Sequence, residues 1–213
     1  MKGGKFSLTA AQLRILALLL MLVDHVGRTV FPDSLWMVGL GRLAFPIFAF
    51  QTAEGYRHTR DLKRYCLRLA VFALVSEVPF NLMVDGGVFF PGHQNVMFTM
   101  LLGLLCCRAW DGRKWWQLAL LLFLAEAGQV DYGMLGVGTV LVFHVFRQDR
   151  ILLPFMVGCI HLFGWGFPSL QGFAALAWLP ISRYRGEKGR GGKWLQYGSY
   201  LFYPLHMLLL GLL

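Results

Sequence analysis

The feature that most constrains this chain is a series of apolar runs that recurs along nearly its whole length. Short polar segments separate the runs, which we place at residues 13–31, 36–55, 64–82, 95–108, 115–128, 133–147, 151–164, 170–182 and 195–212. A helix of about 17–25 apolar residues spans the core of a bilayer, and shorter ones are accommodated by local thinning. The pattern predicts an all-α, polytopic integral membrane protein with about nine transmembrane helices.

The composition fits lipid surroundings better than a water-soluble fold. Hydrophobic residues make up 57% of the 213 residues and charged residues only 15%, whereas soluble domains are about one quarter charged. The four cysteines lie in or beside apolar runs without a CxxC pair or a zinc-like His/Cys spacing, so no metal is expected. Without repeats or a boundary in the sequence, residues 1–213 are expected to form a single transmembrane domain.

The positions of the basic residues predict an orientation. With the N-terminus inside, every lysine and arginine except Arg28 and Arg42 is cytoplasmic, Lys2 and Lys5 included. The opposite loops carry acidic residues instead: Asp33, Asp85, Glu126 and Asp131. This alternation is the positive-inside pattern, so we expect the N-terminus in and the C-terminus out. The net charge of +9 is then explained by the basic cytoplasmic loops, and no nucleic-acid partner is expected. The basic, Gly-rich segment 183–193 is predicted to be a solvated, flexible cytoplasmic loop.

Two ionisable residues of the first span carry the main functional signal. Ionisable groups inside a span are costly, so they usually face the bundle interior or a water-filled cavity. Arg14 and His25 are eleven residues apart, close to three turns, and so lie on nearly the same helix face about 16 Å apart. Histidine suits general base work near neutral pH. The structural alternative is a His25 bonded to a helix carbonyl and an Arg14 that extends its charge to the interface.

Further polar residues fall into an outer and an inner group. Asp24 is expected to support the site by pairing with Arg28 or Arg42. Other polar residues that share the outer half with His25 are Glu77, Asn81, Asn95, Thr99, Asp131, Tyr132 and His206. The inner group follows Pro46 in the second span: Glu54, Tyr56, Arg57, His58 and Arg60. This inner cluster is read either as an interfacial salt bridge or as a receptor for a polyphosphate. His58, His93, His144 and His161 are given no role.

Six stretches together resemble one known family. They are LRILALLLMLVDHVG, GRLAFPIFAFQTAEGYRHTRDLKRY, SEVPFNL, NVMFTMLLGLL, DYGMLGVG and YLFYPLHMLLL, and in this order they are similar to the TraX family, whose namesake is an F-pilin acetylase that modifies the pilin N-terminus. The Arg14–His25 spacing also resembles that of membrane-bound acyltransferases that O-acetylate cell-surface glycans. The resemblance implies a multi-pass protein of the bacterial cytoplasmic membrane that uses acetyl-CoA from the cytoplasm. It further implies His25 as base and Arg14 in the donor path.

The sequence and the resemblance together lead to one hypothesis and two alternatives. The first is a membrane-embedded O- or N-acetyltransferase that moves an acetyl group from acetyl-CoA to an extracytoplasmic peptide N-terminus or glycan. Its expected catalytic residues are His25, Asp24, Arg42, Glu77, Asn81 and His206, and Asn81, Asn95 or His206 is expected to donate to the oxyanion that forms on the thioester carbonyl. Its expected cofactor-binding residues are Arg14, Glu54, Tyr56, Arg57 and Arg60. The alternatives are a proton-coupled transporter, in which Glu77, Asp131 and histidines form a relay, and a non-catalytic subunit of an envelope or secretion complex. A homo-oligomer is compatible with all three.

Overall fold

The computed structural model describes residues 7–213, which form helices joined by short loops. The α-helices are α1 (Ala10–Thr29), α2 (Leu35–Gly41), α3 (Ala44–His58), α4 (Leu62–Asp85), α5 (Val96–Asp111), α6 (Trp115–Ala127), α7 (Gly133–Val145), α8 (Leu152–Phe163), α9 (Trp178–Ile181) and α10 (Gly192–Gly211). A 3₁₀ helix, Leu170–Ala177, precedes α9. Residues 7–213 contain no β-strand beyond two isolated bridges. The all-α fold class is confirmed.

Each of the nine predicted spans overlaps helical structure, but two are not single regular α-helices. The second span breaks at Arg42 and Leu43 into α2 and α3. Pro46 explains the break, because proline has no N–H for the Arg42 carbonyl and its ring crowds that group. The eighth span is mostly the tighter 3₁₀ helix, which is usual only in short pieces.

Three helical segments within residues 7–213 are long and apolar enough to cross a membrane. They are Ala10–Thr29, Leu35–His58 and Leu62–Asp85. The apolar helices Trp115–Ala127, Gly133–Val145 and Leu152–Phe163 are shorter. The number of nine spans therefore stays a prediction.

The side surface of the bundle, which faces away from its core, is apolar. On α4 the exposed Leu67, Val71, Leu74 and Val78 recur every three or four residues and form a stripe along the helix. A water-soluble helix would carry polar residues on that face, whereas lipid accepts apolar ones at no cost. The core side of the bundle packs α1, α3, α5 and α7 around buried residues that include Leu13, Ile47, Leu104 and Phe143.

The helix ends gather at two opposite ends of the bundle. At one end the loop 183–191 covers the start of α1, where the Ala10 and Ala11 N–H groups donate to the carbonyls of Glu187 and Lys188 at 2.8 and 3.0 Å. Thr9 and Gln12 complete a capping box there. The loop was predicted to be solvated and flexible; its side chains are largely exposed, but its backbone is hydrogen-bonded to the N-terminal turn of a helix, where unpaired N–H groups need acceptors.

The same end of the bundle carries the basic clusters. It holds the loops that follow α3, α5 and α7, and the opposite end holds the acidic loops that were assigned to the outside. Lys2 and Lys5 lie outside the described residues. We keep the terms inner end and outer end for these two sides, and the orientation in a membrane stays a prediction.

Candidate functional site

A pair of histidines is the central feature of the outer half. His25 on α1 and His206 on α10 approach through the His25 Nδ1 and His206 Nε2 atoms at 2.7 Å. The ring planes differ by 5° and the ring centres are 4.9 Å apart, so the imidazoles meet edge to edge in a common plane. His206 is 5% exposed, and its Nδ1 atom lies 2.8 Å from the Phe202 carbonyl oxygen. Sequence reasoning placed both histidines at one depth but did not pair them.

Asp24 joins two arginines beside this pair. Its Oδ2 atom lies 2.9 Å from the Arg28 Nε atom, one turn on, and its Oδ1 atom 3.9 Å from the Arg42 Nε atom. Arg42 also donates through Nη1 to the Tyr132 hydroxyl at 3.5 Å. The prediction that Asp24 pairs with Arg28 or Arg42 is confirmed, and the structure shows both pairs. Asp24 therefore links α1 to the break between α2 and α3. Its effect on the histidine pair is to hold these helices in position beside it.

A narrow cleft of about 80 Å³ runs along one face of α1. Arg14, Leu18 and Met21 form its α1 wall, and His25 continues the same row one turn beyond Met21, just past the cleft. The remaining lining residues are Phe48, Gln51 and Thr52 of α3, Tyr65 and Leu69 of α4, Val96, Met97 and Met100 of α5, and Ser199, Tyr200 and Tyr203 of α10. The cleft is thus more polar near Arg14 and more apolar towards α5. Arg14 and His25 share a helix face, as their spacing predicts.

Arg14 is held in place by a residue that sequence reasoning missed. The Arg14 Nε atom donates to the Gln51 Oε1 atom at 3.2 Å, and the Gln51 amide donates to the Ala10 carbonyl at 2.9 Å. Within residues 7–213 this leaves the two terminal nitrogens of the guanidinium, in the wall of the cleft, without a hydrogen bond. An amide inside the apolar run AFPIFAFQTA was the signal that could have pointed to Gln51.

Glu77 and Asn81 lie in the outer half, but they hold helices together rather than meet His25. Asn95 hydrogen-bonds Glu77 closely, donates to the Ala73 carbonyl at 2.8 Å, and accepts from the Met97 N–H at 3.1 Å to cap α5. Asn81 is 2% exposed and its amide lies 3.5 Å from the Val88 carbonyl. In the described chain neither Glu77 nor Asn81 hydrogen-bonds His25.

The inner cluster divides between a recess and a surface ion pair. Tyr56, Arg57 and Arg60 line an inner recess of about 760 Å³ together with Thr59, Leu62, Trp110, Asp111, His144, Val145, Arg147 and Gln148. Glu54 is not among these lining residues; it pairs with Arg57 at 2.7 Å and with His58 at 3.5 Å. Arg57 therefore fits both interpretations of this cluster, because it forms a salt bridge with Glu54 and also lines the recess. Arg60 faces the recess.

A set of exposed contacts that the sequence did not reveal joins three of the residues that line the inner recess. Asp111 accepts from the Tyr56 hydroxyl at 3.0 Å and lies 2.8 Å from the His144 Nε2 atom. These three residues come from the C-terminal ends of α3, α5 and α7. His144 was assigned no role from the sequence. The one sequence signal for its contact was that it and Tyr56 both lie near the end of an apolar run.

An outer recess of about 580 Å³ lies at the opposite end. It is lined by Gly92, His93, Glu126, Gln129, Val130, Tyr132, Gly133, Met134, Leu135, Gly164 and Trp165. Tyr132 has a φ of 66° in the left-handed region, which is unusual for a bulky residue and often marks a functional position. Its ring stacks on Phe45 at 3.9 Å between centres, and its hydroxyl faces Arg42. Tyr132 therefore forms both a wall of the outer recess and a contact with the ion pair beside His25.

Below Trp165 lies another buried histidine. His161 is fully buried, its ring stacks on Trp165 with centres 5.6 Å apart, and its Nδ1 atom lies 3.1 Å from the Gln171 amide nitrogen.

His93 lies in the loop between α4 and α5 and lines the outer recess. Its side-chain hydrogen bond to Asp131, at 3.3 Å, raises the pKa of His93 and outweighs the opposing effect of burial.

These observations define a class: a helical bundle with helices long and apolar enough to cross a membrane, a histidine pair in its outer half and a cleft, with Arg14 in its wall, that leads towards the pair. Residues 9–213 match the model of the TraX protein family, and the chain belongs to that family. This confirms the resemblance of the six stretches.

Two curated proteins illustrate the relationship. The chain is 28% identical over 232 residues to a probable fimbrial assembly protein FimC, serogroup H1, of Dichelobacter nodosus, a match that covers 95% of this chain and 94% of that protein. It is also 28% identical over 156 residues to protein TraX of Escherichia coli K12, covering 70% of this chain and 61% of that protein. No solved structure matches the fold.

Proposed function

We propose that this protein is an acetyltransferase of the bacterial cytoplasmic membrane, which takes the acetyl group of cytoplasmic acetyl-CoA and gives it to an extracytoplasmic amine or hydroxyl. One observation carries the proposal: a cleft follows α1 from Arg14 to within one turn of His25. An intramembrane base beyond a cleft with a cation in its wall suits a slender, anionic thioester donor. Membership of the TraX family supports the same reaction class.

The inner end supplies groups that suit the nucleotide part of CoA. Arg57, Arg60 and Arg147 surround the inner recess, and guanidinium groups match phosphate oxygens in charge and geometry. The recess and the cleft are one helical turn apart on two helices: Tyr56 follows Thr52 on α3, and Tyr65 follows Leu62 on α4. A donor with its phosphates in the recess would thus direct its pantetheine arm into the cleft, where Arg14 is held by Gln51.

The chemical step needs one base and a place for one proton. His25 takes the proton from the acceptor amine or hydroxyl while the nucleophile attacks the thioester carbonyl. The tetrahedral oxyanion then collapses, the bond from carbon to sulfur breaks, and the proton passes from His25 to the leaving thiolate of CoA. Of the oxyanion donors considered from the sequence, Asn95 and His206 have their N–H groups engaged elsewhere. Asn81, with a long 3.5 Å contact, has the least committed donor of the three.

The outer recess is the proposed approach for the acceptor. Its lining offers Glu126, His93 and the aromatic rings of Tyr132 and Trp165. A carboxylate beside aromatic rings suits a cationic amine. Because one relative is named for fimbrial assembly, we place a peptide N-terminus ahead of a glycan among the acceptors.

The test is acetyl transfer by the full chain in lipid nanodiscs, with labelled acetyl-CoA and an acceptor peptide from the same host's pilin. We expect transfer by the wild type, a fall of at least about 10²-fold in His25→Ala, and an increased KM for acetyl-CoA in Arg60→Gln. His58→Gln, which changes an exposed inner-end residue outside the recess, is the matched control and should remain close to wild type. Full turnover in His25→Ala would refute the assignment. Proton-coupled flux in proteoliposomes that ignores CoA, without any transfer, would instead support a transporter.

A further inference from the structure

The contact between His25 and His206 determines which nitrogen of His25 is free. A neutral imidazole carries a proton on one nitrogen and a lone pair on the other, so each nitrogen either donates or accepts. The roles in a hydrogen-bonded chain of two imidazoles are therefore fixed once one end of the chain is known. Here that end is a backbone carbonyl.

The assignment begins at the Phe202 carbonyl, which can only accept a hydrogen bond. The His206 Nδ1 atom lies 2.8 Å from it and must carry the proton. The His206 Nε2 atom therefore holds a lone pair and accepts. Its partner at 2.7 Å, the His25 Nδ1 atom, must then be the donor. The coplanar rings place that N–H in the direction of the lone pair, as a hydrogen bond between imidazoles requires.

We infer that His206 is a positioning residue that holds His25 in the Nδ1–H tautomer and so makes its Nε2 atom the catalytic base. This rests on the proposed function and deepens it, since the acid–base assignment from the sequence did not distinguish the two nitrogens. It also replaces the earlier expectation that His206 stabilises an oxyanion, because the His206 Nδ1–H is already donated to Phe202. A side chain that orients a catalytic imidazole through its distal nitrogen is the role that aspartate has in serine hydrolase triads.

The pair also accounts for where the proton and charge go during transfer. When the His25 Nε2 atom takes the acceptor's proton, His25 becomes an imidazolium and its Nδ1–H bond to His206 becomes charge-assisted and stronger. The Phe202 carbonyl polarises His206 in the same sense. After the tetrahedral intermediate collapses, the Nε2 proton moves to the CoA sulfur and the neutral pair returns to its starting tautomers. His206 gains and loses no proton.

The tautomers are measured directly by ¹⁵N NMR on the full chain labelled at its six histidines, in lipid and without acetyl-CoA. The His25 resonances are identified by their loss in His25→Gln. We expect a protonated Nδ1 and an unprotonated Nε2 in His25, with a scalar coupling between the His25 Nδ1 and His206 Nε2 atoms. A His25 protonated on Nε2 would overturn the inference even if the protein transfers acetyl groups. The expected tautomer without any transfer would keep the pair and refute the proposed function.

Two variants of His206 test the catalytic consequence. His206→Phe keeps the ring volume and removes the acceptor, and we expect kcat to fall by about 10²- to 10³-fold with KM for acetyl-CoA changed less than about twofold. His206→Gln restores an acceptor near the Nε2 position, and we expect it to recover most of the lost kcat together with the Nδ1–H signal of His25. His161→Phe is the matched control, because it removes another buried histidine and should keep transfer within about threefold of wild type. A His206→Phe variant that is folded, binds the donor and turns over normally would overturn the positioning role.

Discussion

The close approach of α1 and α2 leads to a prediction about stability: replacing glycine by alanine should destabilise the fold at Gly41 and stabilise it at Gly138. Gly41, the last residue of α2, faces the backbone of Asp24 on α1. A Cβ atom built on Gly41 would overlap the Asp24 Cβ atom and would lie 2.7 Å from its Cα atom and 2.9 Å from its amide nitrogen. By contrast, a Cβ atom on Gly138 in α7 would meet no atom within 4 Å.

These distances set the size of the effect. Ordinary contact begins at 3.4 Å and the nearest atom, the Asp24 Cβ, would lie at 2.2 Å, so Gly41→Ala requires a local separation of α1 and α2 of about 1.2 Å. The obstructing atoms are the Cβ, Cα and amide nitrogen of Asp24, which no side-chain rotation can move away. Overpacking of this kind costs about 1–3 kcal/mol, and the separation also weakens the 3.9 Å contact between Asp24 and Arg42. Gly138→Ala instead gains about 0.5–1 kcal/mol, because alanine has the higher helix propensity.

The measurement is thermal unfolding in mild detergent, followed by the fluorescence of the seven tryptophans. For a chain of this size a loss of about 2 kcal/mol lowers the Tm by roughly 4–8 °C, so Gly41→Ala should melt clearly below wild type. Gly138→Ala should melt slightly above it. If Gly41→Ala melts at or above wild type, the close approach of the two helices is wrong.

Two further predictions concern charged pairs at the outer end. Asp24→Asn should lower the free energy of unfolding by about 3 kcal/mol, because it leaves Arg42, whose side chain is only 19% exposed, without its carboxylate. Arg28→Gln should lower it by less than about 1 kcal/mol, because the Arg28 side chain is 43% exposed. Equal losses for the two variants in chemical unfolding would contradict this ranking. The hydrogen bond to Asp131 raises the pKa of His93 in the folded chain, so the pair stabilises fully below the unfolded pKa of about 6.5 and loses that contribution as the pH rises through the higher folded value. The difference in Tm between wild type and His93→Gln should therefore be largest near pH 5.5 and shrink by pH 8, and a difference that grows with pH would refute the pairing.

Helical periodicity and apolar length were sufficient to predict most of the fold. All nine apolar runs became helical, because a lipid-facing segment must satisfy its own backbone hydrogen bonds. The break at Arg42 was only partly predictable from the sequence. Pro46 indicated an interruption in the second span, but the helix breaks one turn before that residue. The 3₁₀ geometry at Leu170–Ala177 was not visible, because its composition is as apolar as that of an α-helix. The cap that loop 183–191 places on α1 also escaped detection, since it depends on backbone contacts between the two ends of the chain.

The site was predictable along one helix and not between helices. The spacing of Arg14 and His25 is local, and α1 places both on one face as the arithmetic of 3.6 residues per turn requires. The pairing of Asp24 with Arg28 is equally local. His206 lies 181 residues from His25, and nothing in either segment states that α10 packs on α1. Glu77 was placed at the correct depth, but its contact with Asn95 at the start of the next helix was not predicted, because it joins two helices.

Depth alone is therefore a weak guide to roles in a bundle like this one. Seven or more polar residues share the outer half, yet their contacts sort them into different tasks: Asp24 anchors a helix break, Asn95 caps α5, and His206 orients His25. What separates a catalytic candidate from these is an unused lone pair. The hydrogen bonds of the His25–His206 pair leave such a lone pair on the His25 Nε2 atom, one turn beyond the cleft that Arg14 lines. The proposed acyl transfer requires an uncommitted base at that point, because in that proposal the donor and the acceptor reach it from opposite sides.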